Sequence, residues 1–193
     1  MQIPTPPALA TDRIQLRPIE PNDVPPLYRL ALHPEINHLW RYRGGTPSFD
    51  EFAAALFPGV VCQYVVSPVD RRDVIGHALS YNSDLRNGFT YAAVLMDSNT
   101  YATGLGTETF LLFINYLFSV WPLRKIYLET SEYNLTFFKS ACDRGLLIEE
   151  GRLRGHMFLG GQYWDQVILA CYREELLRAA DGPLGRILKR SPN

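Results

Sequence analysis

The sequence predicts an α+β domain, with a central mixed, mostly antiparallel sheet flanked by helices. Three strand-like runs follow one another between residues 60 and 96 with only turns between them, the pattern of an antiparallel meander. A long apolar helix pattern opened by glycine then precedes the next strand, and two final strand patterns flank Gly160-Gly161.

Asp12 to Ile19 alternates Ile14 and Leu16 with polar neighbours, which predicts a first strand. Pro21-Asn22-Asp23 opens a helix with Val24, Leu27, Tyr28 and Leu30 on one face, its prolines confined to the first turn. Ser48 with Glu51 three residues on is a capping box for a second helix carrying Phe52, Leu56 and Phe57. The meander runs through Val60–Ser67, Val74–Tyr81 and Phe89–Met96, with turns at Pro68-Val69-Asp70 and Asn87-Gly88. Gly104 opens a helix that continues to Phe118, and Lys125–Thr130 is the strand behind it. Asn134–Arg144 reads as a helix stopped by Gly145 in the left-handed conformation. Leu146–Ile148 and Val167–Cys171 supply the last strands, and Arg173–Arg190 is a charged helix broken at Gly182-Pro183.

A length of 193 residues fits one domain at roughly 100–200 residues per domain. The expected core spans 11–172 and a helical tail spans 173–193. Hydrophobic residues at 47% and charged residues at 20% exclude bulk disorder. A net charge of −1 gives no electrostatic footprint for a general nucleic-acid binder. Cys62, Cys142 and Cys171 form no CxxC pair, so reduced buried thiols are expected, with neither a disulfide framework nor a metal site. The proline-rich start lacks the basic and apolar regions of an export signal. The longest apolar stretch, Thr109–Trp121, falls short of the ~20 residues a membrane span needs. A cytoplasmic protein without membrane or nucleic-acid partners is the expectation.

The segment with the most chemical content is Met96-Asp97-Ser98-Asn99-Thr100-Tyr101-Ala102-Thr103-Gly104-Leu105-Gly106-Thr107-Glu108. Glycines just before a long helix let backbone amides face open space at its positive end, an anion site suited to a diphosphate. Alone, this spacing is weak, because a plain glycine turn into a core helix looks the same. It is neither a P-loop nor a dinucleotide fingerprint.

Tyr101-Ala102-Thr103-Gly104-Leu105-Gly106 resembles the [Q/R]xxGx[G/A] signature of the GNAT N-acetyltransferase superfamily. Thr107-Glu108, Asn134, Arg144-Gly145-Leu146, Glu150-Gly151-Arg152-Leu153-Arg154 and Gly161-Gln162-Tyr163-Trp164-Asp165 resemble the branch that holds the ribosomal-protein alanine N-acetyltransferases. So does the opening run Thr11-Asp12-Arg13-Ile14-Gln15-Leu16-Arg17-Pro18, which extends the resemblance over about Thr11 to Tyr172.

The resemblance implies a GNAT fold and transfer of an acetyl or other acyl group from acyl-CoA to a primary amine. The acceptor would be a small molecule or a protein N-terminus. In that reading the backbones of Leu95 and Met96 pair with pantetheine, and amides from Ala102 through Thr103, Gly104, Leu105 and Gly106 to Thr107 hold the diphosphate. Asn134 would bond pantetheine or its water, or act as a helix cap. Two departures stand out: Tyr101 replaces Gln or Arg, and Ala141 stands where many members carry a proton-donating tyrosine. They favour the alternative of a catalytically silent acyl-CoA-binding or partner-binding domain.

An amine must lose a proton before it attacks, so a carboxylate or histidine is needed nearby. Glu129, five before Asn134, is the first candidate; His156 and Asp165 are rivals, and His77 is a weaker one. Alternation turns Glu129 away from Ile126 and Leu128. Beside a splayed neighbouring strand, that face would look into the cleft where donor and acceptor meet. A homodimer is expected from aromatic richness near the last strands and from family habit.

Overall fold

The computed structural model describes residues 8–182 and 185–188; part of the proline-rich start and Pro183 lie outside them. In chain order the elements are β1 (Ile14–Arg17), α1 (Val24–Ala31), α2 (Phe49–Ala55), β2 (Val60–Pro68), β3 (Gly76–Asp84) and β4 (Phe89–Met96). They continue with α3 (Leu105–Val120), β5 (Lys125–Ser131), α4 (Leu135–Asp143), β6 (Ile148–Leu159), β7 (Gln162–Tyr172), α5 (Arg173–Ala180) and α6 (Gly185–Leu188). The strands form one sheet in the order β1-β2-β3-β4-β5-β7-β6. Every neighbouring pair is antiparallel except β4 and β5, which are parallel. Short turns enforce the first kind of pairing, and the α3 crossover enforces the second.

Each face of the sheet packs its own core. One side buries Leu111, Phe113, Ile114 and Leu117 of α3 against Ala92, Ile126, Leu128 and Leu169. The other seats Leu27 and Leu30 of α1 and Phe52 and Leu56 against Val65, Leu79 and Leu95. Arg17 ties β1 to the start of α1 through two bonds to Asp23, at 2.6 and 2.7 Å. That guanidinium holds the Asp23 carboxyl below its ordinary range. A cavity of about 540 Å³ opens beside this pair and is also lined by Arg29, Arg72 and Asp73. Among the described residues no helix is long and apolar enough to cross a membrane.

Several expected boundaries are corrected. The first strand covers only Ile14–Arg17, because the Thr11 hydroxyl accepts the Arg13 and Ile14 amides in a turn and Pro18 removes a donor. β3 starts and ends later than expected, running past an irregularity at Tyr81/Asp84 where Asn82 has φ 47°. Leu146 and Leu147 are buried between α4 and β6 and are not strand. The last two strands form a much longer hairpin than their apolar cores indicate. β6 is an edge strand exposed along most of its length, so Glu149, Glu150, Arg152 and Arg154 sit in it without cost. Its register shifts at Glu149/Gly151 and Leu153/Met157 interrupt any regular alternation. Gly145, at φ 71°, ends α4 as expected, with its amide on the Cys142 carbonyl and the Leu146 amide on that of Ala141.

Candidate active site

β4 and β5 pair only from Phe89–Tyr91 against Lys125–Tyr127. Beyond that point β4 stays bonded to β3 as far as Met96↔Gly76, and β5 stays bonded to β7 as far as Ser131↔Gln166. The sheet therefore parts into a V between Ala92–Met96 and Leu128–Ser131. The side chains of Leu95 and Met96 are buried in opposite cores, so an extended ligand in the V meets their backbone, as an added strand would.

The mouth of the V is the start of α3. Ala102 and Gly104 both have positive φ, 61° and 81°, on either side of Thr103. A non-glycine residue held there marks a local strain of about 1–3 kcal/mol, and alternating backbone of this kind turns amides inward as an anion nest. Gly104 at the helix start has no side chain to offer, and the Thr103 hydroxyl takes the Leu105 amide at 3.3 Å, so first-turn amides such as those of Gly106 and Thr107 are left without helical partners. Tyr101, Ala102, Thr103 and Gly104 are all exposed, so this turn faces solvent, with the Thr103 amide on the Thr100 carbonyl at 3.3 Å.

Arg13 braces this loop from the start of β1. Its Nε donates to Glu108 Oε2 at 2.9 Å, Nη1 donates to the Thr103 carbonyl at 3.1 Å, and Nη2 also bonds Glu108. The Glu108 side chain is 6% exposed and that of Arg13 50%. Arg13 thus places a cation beside this loop, paired to Glu108. Sequence reasoning missed it, because 95 residues separate the partners; its one signal was that Arg13 lies in the run Thr11–Pro18 and Glu108 in the pair Thr107-Glu108. Removing Arg13 leaves a buried carboxylate unpaired. Arg13→Ala is expected to cost about 2 kcal/mol, below the range for a fully buried pair because one partner is half in solvent. Urea unfolding checks this, and an unchanged midpoint would contradict the bracing role.

Across the mouth, the Tyr101 ring packs on Phe137 of α4, with centroids 6.0 Å apart. Asn134 precedes α4 but its side chain makes no capping bond, so the cap is not its role here. Ala141 presents no hydroxyl and packs at the edge of the α3-side core, as does Phe138. Trp164 packs on Tyr133 at 5.3 Å, and Tyr163 is exposed against Phe158.

The base candidates separate by location. Glu129 is exposed on the α1/α2 face of β5, two residues past the last β4–β5 pair, and accepts the Tyr81 hydroxyl at 3.4 Å. Asp165 is engaged by the β6–β7 hairpin: it accepts the Gly155 amide at 2.8 Å and Arg152 Nη1 at 3.4 Å. His156 is exposed on the same hairpin. His77 is buried and bonded to Gln63 at 3.0 Å. Desolvation lowers its pKa to about 3, which keeps the ring neutral. The cysteines are free thiols, and burial pushes Cys62 up to about 11 and Cys171 up to about 12. Neither supplies a thiolate nucleophile at neutral pH.

No protein-family model matches the sequence, and no curated protein matches it. Solved structures do match. A spermidine N-acetyltransferase from Vibrio cholerae, in complex with CoA and spermine, aligns with a TM-score of 0.75 at 20% identity. The alignment covers 85% of this chain and 98% of that one. A chimera of the V. cholerae enzyme SpeG with hSSAT aligns at 0.71 and 19%, over 86% and 98% of the two chains. The chain thus has the fold of these N-acetyltransferases, an α+β fold on a mixed sheet of seven strands.

Proposed function

We propose that this protein is an N-acyltransferase that passes an acetyl or related acyl group from acyl-CoA to a primary amine. The observation that carries the proposal is the V between β4 and β5 opening directly onto the glycine-started end of α3, where, among the described residues, only the Leu105 amide meets a side chain, the Thr103 hydroxyl. An extended thioester with a diphosphate at one end fits that pair of features. Pantetheine lies along the backbone of Leu95 and Met96, with Asn134 facing it from the α4 side. Amides from Ala102 to Thr107 hold the diphosphate, and Tyr101 walls the mouth. The CoA held by the V. cholerae enzyme of the same fold supports this reading.

In the reaction, the amine nitrogen attacks the thioester carbonyl carbon and the C–S bond breaks. The proton lost by the amine passes to Glu129 through water, and the CoA thiolate is protonated from solvent. Asp165 and His156 are the rivals for the first proton, the former already committed to the hairpin. Among acceptors, the ribosomal-protein alanine branch suggests a peptide N-terminus, whereas the spermine of the V. cholerae enzyme suggests a small amine. A cytoplasmic setting, where acyl-CoA is made and used, belongs to the same reading.

The absence of a hydroxyl at Ala141 favours a second reading, a silent acyl-CoA-binding domain. Titration calorimetry with acetyl-CoA, followed by thiol release over a panel of amines, decides between them. Binding with release on at least one amine is the expected result. Binding without release on any amine would leave the silent domain, and no binding would end both readings.

A further inference from the structure

On the α1/α2 side of the sheet, the core under the helices gives way to a strip of rings where β4 and β5 part. Tyr81 of β3 lies 5.7 Å from Tyr91 of β4, and Tyr91 lies 5.1 Å from Tyr127 of β5, centroid to centroid. Phe89 extends the strip, 5.7 Å from Tyr127. All four are half-buried, so each keeps ring surface in contact with solvent. Tyr91↔Tyr127 is also the last pair before the V opens. The strip therefore ends at the place where the proposed thioester carbon would arrive. Ala93, next on the same face of β4, keeps bulk out of that corner.

Glu129 stands at the end of this strip, bonded to the Tyr81 hydroxyl and in no ion pair among the described residues. Its charge also raises the pKa of Tyr81 and Tyr91, after burial. The strip already seats one alkylammonium of the chain's own. Lys125 Nζ lies 4.4 Å from the Tyr127 centroid and 5.5 Å from that of Tyr172. That charge is answered by Glu150 at 2.6 Å. Arg43, on the loop between α1 and α2, is the cation whose charge acts on Tyr81, whereas Lys125 acts on Tyr91.

We infer that Tyr81, Tyr91, Tyr127 and Glu129 form the acceptor seat, and that the acceptor is a primary alkylamine arriving as its ammonium ion. Tyrosine faces attract an ammonium and cover its carbon chain, and Glu129 supplies the counter-charge and takes the ammonium proton to free the amine; the second proton, lost as the amide forms, passes to solvent and balances the one the CoA thiolate takes up. A peptide N-terminus fits this seat less well, because two of the strip's three tyrosine hydroxyls already donate to carboxylates, Tyr81 to Glu129 and Tyr127 to Glu150, which leaves few partners for its first amide groups. The inference rests on the proposed acyl transfer.

The test uses the whole protein saturated with CoA, which blocks turnover, and titrates pentylamine against pentan-1-ol at pH 7. The ammonium is expected to bind about tenfold more tightly than the alcohol, and more tightly than alanyl-alanine amide. Tyr91→Leu and Glu129→Gln should each reduce pentylamine affinity about tenfold, while Tyr91→Phe keeps most of it. CoA affinity, unchanged in all three variants, reports that they are folded. Equal binding of amine and alcohol, a preference for the peptide amide, or an ammonium preference intact in Tyr91→Leu would each overturn the inference. A failure of CoA itself to bind the wild-type protein would instead fall on the acyl-transfer reading.

Discussion

Gly104→Val is expected to weaken acetyl-CoA binding by roughly 30- to 100-fold, through about 2–3 kcal/mol of lost cradle geometry. Gly104 has φ 81°, a region that β-branched residues almost never occupy. Among the described residues, apart from its chain neighbours, a Cβ added there meets only Arg13 Nη2 within 4 Å, at 3.7 Å. The protein itself thus has room for the side chain. The penalty falls on the backbone and on whatever approaches the amides, which is why binding suffers more than folding. Gly104→Ala shares the backbone strain without the branched bulk and is expected to lose less. Calorimetry on folded Gly104→Val checks the assignment; an affinity equal to wild type would remove the diphosphate from this loop.

Glu129→Gln is expected to lower turnover at neutral pH by about 10²- to 10⁴-fold, the usual contribution of general-base assistance. CoA affinity should stay close to wild type, because Glu129 lies on the acceptor side of the V. The pH dependence has a definite sign. An alkylammonium with a pKa near 10 releases about tenfold more free amine for each unit of rising pH. The variant should therefore recover activity steadily toward pH 10, while the wild-type rate rises less. Retained activity in Glu129→Gln with loss in His156→Ala or Asp165→Asn would place the base on the last strands.

The parts of this site that were legible in sequence are those written in local pattern. The meander, the apolar α3 and the glycine that starts it each declare themselves within a few residues, through periodicity or backbone freedom. The face of Glu129 followed from alternation alone. What stayed hidden depends on register or on distance along the chain. The end of β4–β5 pairing at Tyr91/Tyr127 is a property of two strands separated by a helix, and neither carries a signal for it. Tyr81, Tyr91 and Tyr127 carry no distinguishing signal singly and form a strip only once three strands are aligned. The Arg13–Glu108 brace is hidden for the same reason. β6 was underestimated because an exposed edge strand buries neither face and leaves no apolar alternation to read.

In the proposed function acyl-CoA enters the V between β4 and β5 from the start of α3. Amide chemical-shift mapping of the whole protein titrated with acetyl-CoA tests it most directly. The largest shifts are expected at Leu95, Met96, Ala102–Thr107 and Asn134, with little change at Arg17, Arg29 and Arg72 around the 540 Å³ cavity. Shifts centred on that cavity, or none at the α3 start, would contradict the account.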